Sequence, residues 1–132
     1  MKSYTKAIFL IFLFISTVFA GAVIQFFNAH SEGDSVRLEW QTGKEVNLQK
    51  FVIERKTPQS SYIEINSLQP KGDNSYYTYL DESVYKSNST VYIYRLKILD
   101  NDNQITYTNE VSVSPNISGI KRTWGSIKAM FR

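Results

Sequence analysis

Apolar and polar side chains alternate in four segments between Val36 and Val113. In chain order these segments read VRLEW, FVIERK, VYIYRLKILD and ITYTNEVSV, and turn-rich sequence separates them. In the first segment Val36, Leu38 and Trp40 fall on one face, and polar side chains fall on the other. A period of two residues is typical of β-strands with one buried face.

Three shorter strand-like segments accompany these four, at residues 22–29, 62–68 and 76–81. The last two lie on either side of a dense turn signal, PKGDNS. The chain therefore predicts about seven strands with regularly spaced turns and no helical period, which indicates an all-β fold, a seven-stranded antiparallel β-sandwich. The polar segments 42–49 and 100–104 are interpreted as loops, and they are the parts of the sandwich that we expect to recognise a ligand.

Both ends of the chain differ from this pattern. Lys2 and Lys6 precede an apolar stretch from Ala7 to Ile15, and Ala20 ends a small-residue cleavage pattern. These features predict a secretory signal peptide over residues 1–20. An uncleaved membrane anchor is the alternative, but the apolar stretch is shorter than the roughly 18–20 residues that a spanning helix needs. We therefore expect an exported protein, in the periplasm, at the outer surface or secreted.

The last segment, residues 116–132, predicts a short basic amphipathic helix after the sandwich domain of residues 21–115. Its candidate docking residues are the apolar Ile120, Trp124, Ile127 and Phe131, flanked by the basic Lys121 and Lys128. Two interpretations remain open. The apolar side packs on the sandwich, or the helix docks on a partner groove or an anionic membrane surface.

Net charge argues against nucleic acid as a partner. Six of the fifteen basic residues lie in the first twenty and last fourteen positions, which leaves nine basic against twelve acidic residues between them. Nucleic-acid-binding domains instead concentrate Lys and Arg on a folded face. The chain has no cysteine, and His30 is its one histidine. Without a second soft ligand we expect no metal site and no cofactor.

Carboxylates give little indication of catalysis. Glu45, Glu54, Glu64 and Glu110 could supply an acid pair, but their spacing brings no two together, and we expect them on solvated sheet faces. The segment after Asp100 resembles the start of a calcium loop, yet it lacks the glycine and the glutamate that complete such a loop. No nucleophile motif or phosphate-binding loop is present. The sequence therefore predicts that the protein is not an enzyme.

As a set, the patterned residues resemble the fibronectin type III-like domain found in secreted and surface proteins of Gram-negative bacteria. The resemblance covers about residues 22–114. It departs from the family pattern at Asn103, where the family has glycine, and at Ile93, which separates two tyrosines. In order, the matching residues are Val36, Leu38, Trp40, Glu45, Asn47, Phe51, Ile53, Glu54, Arg55, Tyr79, Asp81, Tyr94, Arg95, Leu96, Lys97, Asp100, Asp102, Tyr107 and Asn109.

This resemblance implies roles for several residues. Tyr92 takes the place of the corner tyrosine, whose hydroxyl bonds to a nearby backbone group. Asn103 is expected in a hairpin turn, because asparagine tolerates positive φ. Trp40 is expected to fill the core and to need an acceptor for its indole N–H. The predicted structural core is Trp40, Phe51, Tyr92, Tyr94 and Leu96.

The expected function rests on the type of domain, because the sequence shows no catalytic motif. The leading hypothesis is an exported, non-catalytic binding or scaffolding module that recognises a protein or glycan at the cell envelope. The alternative is a membrane- or assembly-associated component that docks through its basic C-terminal helix. In the first case the ligand binds the sandwich, and in the second the sandwich is a spacer.

Overall fold

The computed structural model describes residues 21–84 and 89–115, together with Lys128 and Met130. The predicted signal peptide lies outside these residues, as does most of the predicted C-terminal helix. Lys128 is helical and exposed. In the described part of the chain, no helix has the length and apolar character needed to cross a membrane. Five candidate docking residues lie outside the described residues: Ile120, Lys121, Trp124, Ile127 and Phe131.

In the described part of the chain, eight antiparallel strands form two sheets, which confirms the all-β prediction. The strands are β1 (Gly21–Glu32), β2 (Ser35–Val46), β3 (Leu48–Lys56), β4 (Ile63–Leu68), β5 (Tyr76–Asp81), β6 (Tyr92–Asp100), β7 (Ile105–Tyr107) and β8 (Val111–Val113). We call the three-stranded sheet, in the order β1-β2-β5, sheet A. Sheet B has the order β4-β3-β6-β7, and β8 also pairs with β6.

The predicted count of seven strands was wrong, because the last predicted strand is divided into β7 and β8. At Thr108 the side chain takes part in the pairing with β6. The hydroxyl of Thr108 accepts a hydrogen bond from Leu96 N at 2.9 Å, while Thr108 N donates to Leu96 O at 3.0 Å. A side-chain oxygen thus replaces a backbone acceptor, and the regular ladder is lost over residues 108–110.

The predicted loop at residues 42–49 was also wrong, because it is almost entirely strand. β2 continues to Val46 and β3 begins at Leu48. Only Asn47 lies between them, with a φ of 53°. Its side chain donates to the Asp102 carboxylate at 2.7 Å and accepts from Asn101 at 3.0 Å. The turn between β2 and β3 is therefore fixed to the β6–β7 hairpin.

That hairpin is held by its own first residue. The buried carboxylate of Asp100 accepts hydrogen bonds from Asp102 N at 2.9 Å and from Gln104 N at 2.8 Å. Asn103 has a φ of 63°, which confirms the positive φ expected there. Because one carboxylate oxygen of Asp100 accepts from two backbone N–H groups, this residue fixes the turn, while residues 101–104 are exposed.

Aromatic side chains fill the space between the sheets. Trp40, Phe51, Tyr92, Tyr94 and Leu96 are all buried. Trp40 stacks on Tyr77 at 5.1 Å and meets the edge of Phe51 at 5.7 Å. The indole N–H of Trp40, however, has no hydrogen-bond partner among the described residues, so the expected acceptor is missing. The Tyr92 hydroxyl donates to Val84 O at 2.7 Å, which confirms the corner tyrosine.

A buried ion pair joins the two sheets. Arg55 of β3 turns inward and binds the Asp81 carboxylate of β5 at 2.6 Å. Tyr94 and Ser83 also donate to that carboxylate, at 2.8 and 2.6 Å. Desolvation by burial opposes ionisation of Asp81, but the hydrogen bonds and the Arg55 charge outweigh it and lower its pKa. Burial and the neighbouring Asp81 charge raise the pKa of Tyr94. The network therefore holds a carboxylate and a neutral phenol.

Candidate functional site

The outward faces of the two sheets differ in chemistry. On the outer face of sheet B, the Arg95 guanidinium lies between two tyrosine rings. Its carbon is 3.9 Å from the ring centre of Tyr62 and 3.8 Å from that of Tyr107. Arg95 also donates to Glu54 at 2.8 Å. Cation–π contact and ion pairing together make this face internally bonded.

Further ion pairs extend this network to both sides. Lys97 bonds Glu64 at 3.1 Å, and the Tyr62 hydroxyl donates to Glu110 at 2.7 Å. Burial and the bond to Glu110 raise the pKa of Tyr62. Arg95, Lys97 and Tyr62 are thus each bonded to a carboxylate of the same face.

Glu54 is buried although it lies on the outer face of sheet B. The sequence predicted a solvated carboxylate, yet the residue is only 7% exposed. That prediction was wrong, because the long side chains of Tyr62 and Arg95 cover an outward-facing acid. Glu54 and Arg55 do face opposite sides of β3, as expected, and both are ion-paired.

The outer face of sheet A consists of three rows of three residues. The strand register places Phe26, Gln41 and Tyr76 in the first row. The second row holds Asn28, Glu39 and Thr78, and the third holds His30, Arg37 and Leu80. Inward neighbours such as Phe27, Trp40 and Tyr77 are buried, so alternation turns these rows outward.

Two aromatic rings are exposed on this face. Tyr76 is 47% and Phe26 is 37% exposed. They lie on the two outer strands with Gln41 between them, so their backbones are two strand spacings apart, about 10 Å. The Tyr76 hydroxyl donates to Glu39 at 2.6 Å, and this hydrogen bond raises the pKa of Tyr76. One end of the tyrosine ring is therefore fixed while its face stays open.

Polar groups on the same face are only partly engaged. Arg37 bonds Glu32 and donates to Thr78 at 3.0 Å. The side-chain amides of Asn28 and Gln41 make no hydrogen bond to the described residues. An amide can both donate and accept, so these two groups can bond a ligand that carries hydroxyls.

Catalytic chemistry has little support on this face. Glu39 is the one carboxylate within the three rows, and Glu32 beside them is bonded to Arg37. Among residues 21–84 and 89–115, no group of three or more metal-ligating side chains is close enough to hold a metal ion. What the rows offer is two apolar rings, two free amides and a near balance of charge, which is chemistry for binding.

Sequence reasoning missed this surface. It expected recognition by segments 42–49 and 100–104, and it named docking residues that lie outside the described part except for Lys128. The polar positions of β2, namely Arg37, Glu39 and Gln41, were assigned outward correctly. Their neighbours Phe26 and Tyr76 come from other strands, so only the strand register brings them together.

The comparisons with known proteins concern the fold. No family model and no curated protein matches the chain. Among solved structures, pectate lyase Pel3 from Pectobacterium carotovorum is similar, with 14% identity and a TM-score of 0.52 over 68% of this chain and 26% of that one. Pectate lyase PelI from Erwinia chrysanthemi, in complex with tetragalacturonic acid, matches at 16% identity and a TM-score of 0.51 over 70% and 28% of the two chains.

The chain thus spans about a quarter of the length of these lyases, and the likeness is one of fold. A third match, an Fn3-like protein from Clostridium thermocellum, covers 75% of this chain and 93% of that one at 16% identity, with a TM-score of 0.46. With its two antiparallel sheets and corner tyrosine, the domain resembles a fibronectin type III-like, immunoglobulin-like sandwich, as its sequence predicted.

Proposed function

We propose that this protein is an exported, non-catalytic binding module of the cell envelope or the extracellular space, and that the outer face of sheet A binds an uncharged polysaccharide. The observation that carries the proposal is the first row of that face, where exposed Phe26 and Tyr76 flank the free amide of Gln41.

The ligand class is argued from complementarity. A sugar ring presents C–H groups on its faces and hydroxyls around its rim, so it needs apolar rings together with groups that donate and accept hydrogen bonds. Aromatic rings supply broad apolar contact with little loss of conformational freedom. A row of exposed ring, amide and exposed ring across three strands offers both kinds of contact to an extended chain.

Charge favours an uncharged glycan over an acidic one. The face and its margin carry Glu32 and Glu39 against Arg37 and His30; the arginine is already bonded to Glu32, and His30 lies 3.8 Å from Glu39. An acidic polysaccharide would place carboxylates near Glu39 without a free guanidinium to receive them. The solved pectate lyases make glycans a reasonable first set of probes, although a shared fold does not carry over an activity.

The test is co-sedimentation of the purified protein with insoluble neutral polysaccharides, with soluble polygalacturonate as an acidic competitor. Binding to a neutral polysaccharide is expected, with no competition by the acidic one. Tyr76→Ala should weaken it about tenfold, equivalent to about 1.4 kcal/mol. The control Tyr107→Ala removes a tyrosine of similar exposure, 49%, from sheet B and should bind normally.

Three outcomes would contradict the proposal. The first is that no neutral polysaccharide binds, and the second is that the two tyrosine variants lose binding equally. Release of sugar from a bound polysaccharide would contradict the non-catalytic part. If the module binds another protein and binds no polysaccharide, protein recognition describes its function better.

The basic C-terminal segment supports a second candidate function, docking on an anionic membrane surface. Lys128 and Met130 are helical, and Met130 is 81% exposed. A variant that ends at Pro115 should lose flotation with anionic liposomes, and Trp124→Asp should behave in the same way. Equal flotation of the full and shortened chains would rule this candidate out.

A further inference from the structure

The outer edge of β5 is the least protected strand edge in the described part of the sandwich. The pairing of β1 with β2 carries two register shifts, and β7 and β8 are separated by an irregular segment. β4 carries an extra residue in its pairing with β3, between Asn66 and Glu64, and it also carries the charged Glu64. β5 pairs with β2 without a shift, and it is uncharged from Tyr76 to Leu80. Uncharged edges of regular register can pair with another strand.

The direction of each backbone N–H and C=O group identifies which groups of β5 face away from β2. Ser75 O accepts from Thr42 N of β2 at 2.9 Å. In an antiparallel strand, alternate residues direct their N–H and C=O groups to the same side. The backbones of residues 75, 77 and 79 therefore face β2, and those of Tyr76, Thr78 and Leu80 face outward. No other described strand pairs with this edge.

One of these outward groups is already bonded within the chain. The Lys71 ammonium donates to Tyr76 O at 3.0 Å. The outward N–H groups of Tyr76, Thr78 and Leu80 remain for a partner, together with the carbonyls of Thr78 and Leu80. Groups of this kind are recognised by the backbone of another extended strand.

We propose that two copies of this chain pair antiparallel through β5, with Thr78 of one copy opposite Thr78 of the other. In this register Tyr76 lies opposite Leu80, so every outward-facing residue meets another outward-facing residue, and the Tyr76 carbonyl accepts from both the Lys71 ammonium and the partner's Leu80 N–H. A register shifted by two residues would leave one of the three without a counterpart. The result is a continuous six-stranded sheet in the order β1-β2-β5-β5-β2-β1.

Side chains make the edge complementary to itself. The Tyr76–Leu80 pair, formed twice, places an aromatic ring beside a branched aliphatic side chain, a favourable cross-strand pair. Asp81 lies opposite Ser75, and Glu82 lies opposite Asn74, so no like charges meet. This self-complementarity is the reason to choose a second copy over a peptide of other sequence.

Pairing would also place two outer faces of sheet A side by side on one continuous surface. An extended ligand could then contact both faces at once, which raises avidity. The pairing itself rests on the β5 edge alone and does not require that the proposed polysaccharide binding be correct.

The two-fold axis at Thr78 gives a charge-swap test. Thr78→Lys and Thr78→Glu should each weaken self-association about fivefold, because like charges then lie directly opposite. An equimolar mixture of the two variants should restore association, measured by sedimentation over a concentration series. Asn28→Lys and Asn28→Glu, on the far strand of the same row, are the matched controls and should associate as the native protein does.

Amide hydrogen exchange tests the native chain without substitution. The Thr78 N–H should exchange more slowly as concentration rises, while that of Asn109 should not change. A native protein that stays monomeric at every concentration would overturn the proposal. So would association that ignores both Thr78 variants, or a Thr78 amide whose exchange is independent of concentration.

Discussion

The outer faces of the two sheets make opposite use of similar side chains. On sheet B, the Arg95 guanidinium is enclosed by Tyr62 and Tyr107 and bonded to Glu54, which is 7% exposed. On sheet A, Tyr76 remains 47% exposed. The ion pairs of sheet B bond its charged groups to one another, whereas on sheet A the amides of Asn28 and Gln41 make no hydrogen bond to the described residues.

This difference separates a face whose charged side chains are bonded to one another from the face to which we assign the proposed binding. A face whose charges are already bonded must break those bonds to bind a ligand, so its residues contribute chiefly to stability. A face with free amides and open rings loses little stability when a side chain is changed. Three arginines should therefore differ in how much they stabilise the fold. Arg55 in the core should contribute most, Arg95 on sheet B less, and Arg37 on sheet A least.

The largest loss of stability is expected for Arg55→Ala. This change leaves the buried Asp81 carboxylate without its counter-ion, and breaking such a pair costs about 3–5 kcal/mol. Urea unfolding measures the loss in free energy of unfolding. Arg37→Ala on sheet A is the control and should shift the midpoint far less, because its partners are exposed. Equal shifts for the two variants would remove the distinction between core and face.

A smaller loss is expected for Arg95→Ala, about 2 kcal/mol, since Glu54 would be left covered but unpaired. Arg95→Lys keeps the charge but loses the planar stack between Tyr62 and Tyr107, and it should fall between native and Ala. The same urea titration measures both. If Arg95→Ala were as mild as Arg37→Ala, the two faces would not differ as described.

Acid should weaken the connection between the sheets. Because the pKa of Asp81 is lowered from 3.8 in the folded protein, its contribution is fully present above that value. It is lost as pH falls through the lower, folded-state pKa. Unfolding free energy measured from pH 5 to pH 2 should therefore fall less steeply for Asp81→Asn than for the native chain. If the unfolding free energies of the two proteins fall equally steeply with pH, other carboxylates dominate the acid sensitivity.

Sequence patterns could predict the inward faces because they depend on local alternation. Val36, Leu38 and Trp40 are buried as the period of two requires, and Tyr92 makes its corner bond. The division at Thr108 could not be predicted, since it depends on whether one hydroxyl reaches Leu96 N on another strand.

The candidate site was hidden for a related reason. The row of Phe26, Gln41 and Tyr76 joins three strands that are distant in sequence, and its register follows two shifts in β1. Burial of Glu54 likewise depends on Tyr62 and Arg95 from neighbouring parts of the sheet. Alternation gives the side of a strand on which a residue lies, but it does not give that residue's neighbours on the same side.

The smallest effect on stability, and the sharpest separation of the faces, is expected for Gln41→Glu. The change replaces a free amide by a carboxylate beside Glu39, so it removes a donor and adds like charge. Unfolding by urea should be unchanged, while co-sedimentation with a neutral polysaccharide should weaken about tenfold, equivalent to about 1.4 kcal/mol.

Gln49→Glu makes the same chemical change at an exposed position of β3, so its net charge equals that of the Gln41→Glu variant. It should nevertheless bind as the native protein does. Loss of binding in both variants would point to net charge rather than to the face. Loss of stability at Gln41 without loss of binding would reverse the comparison, because sheet A would then be the structural face.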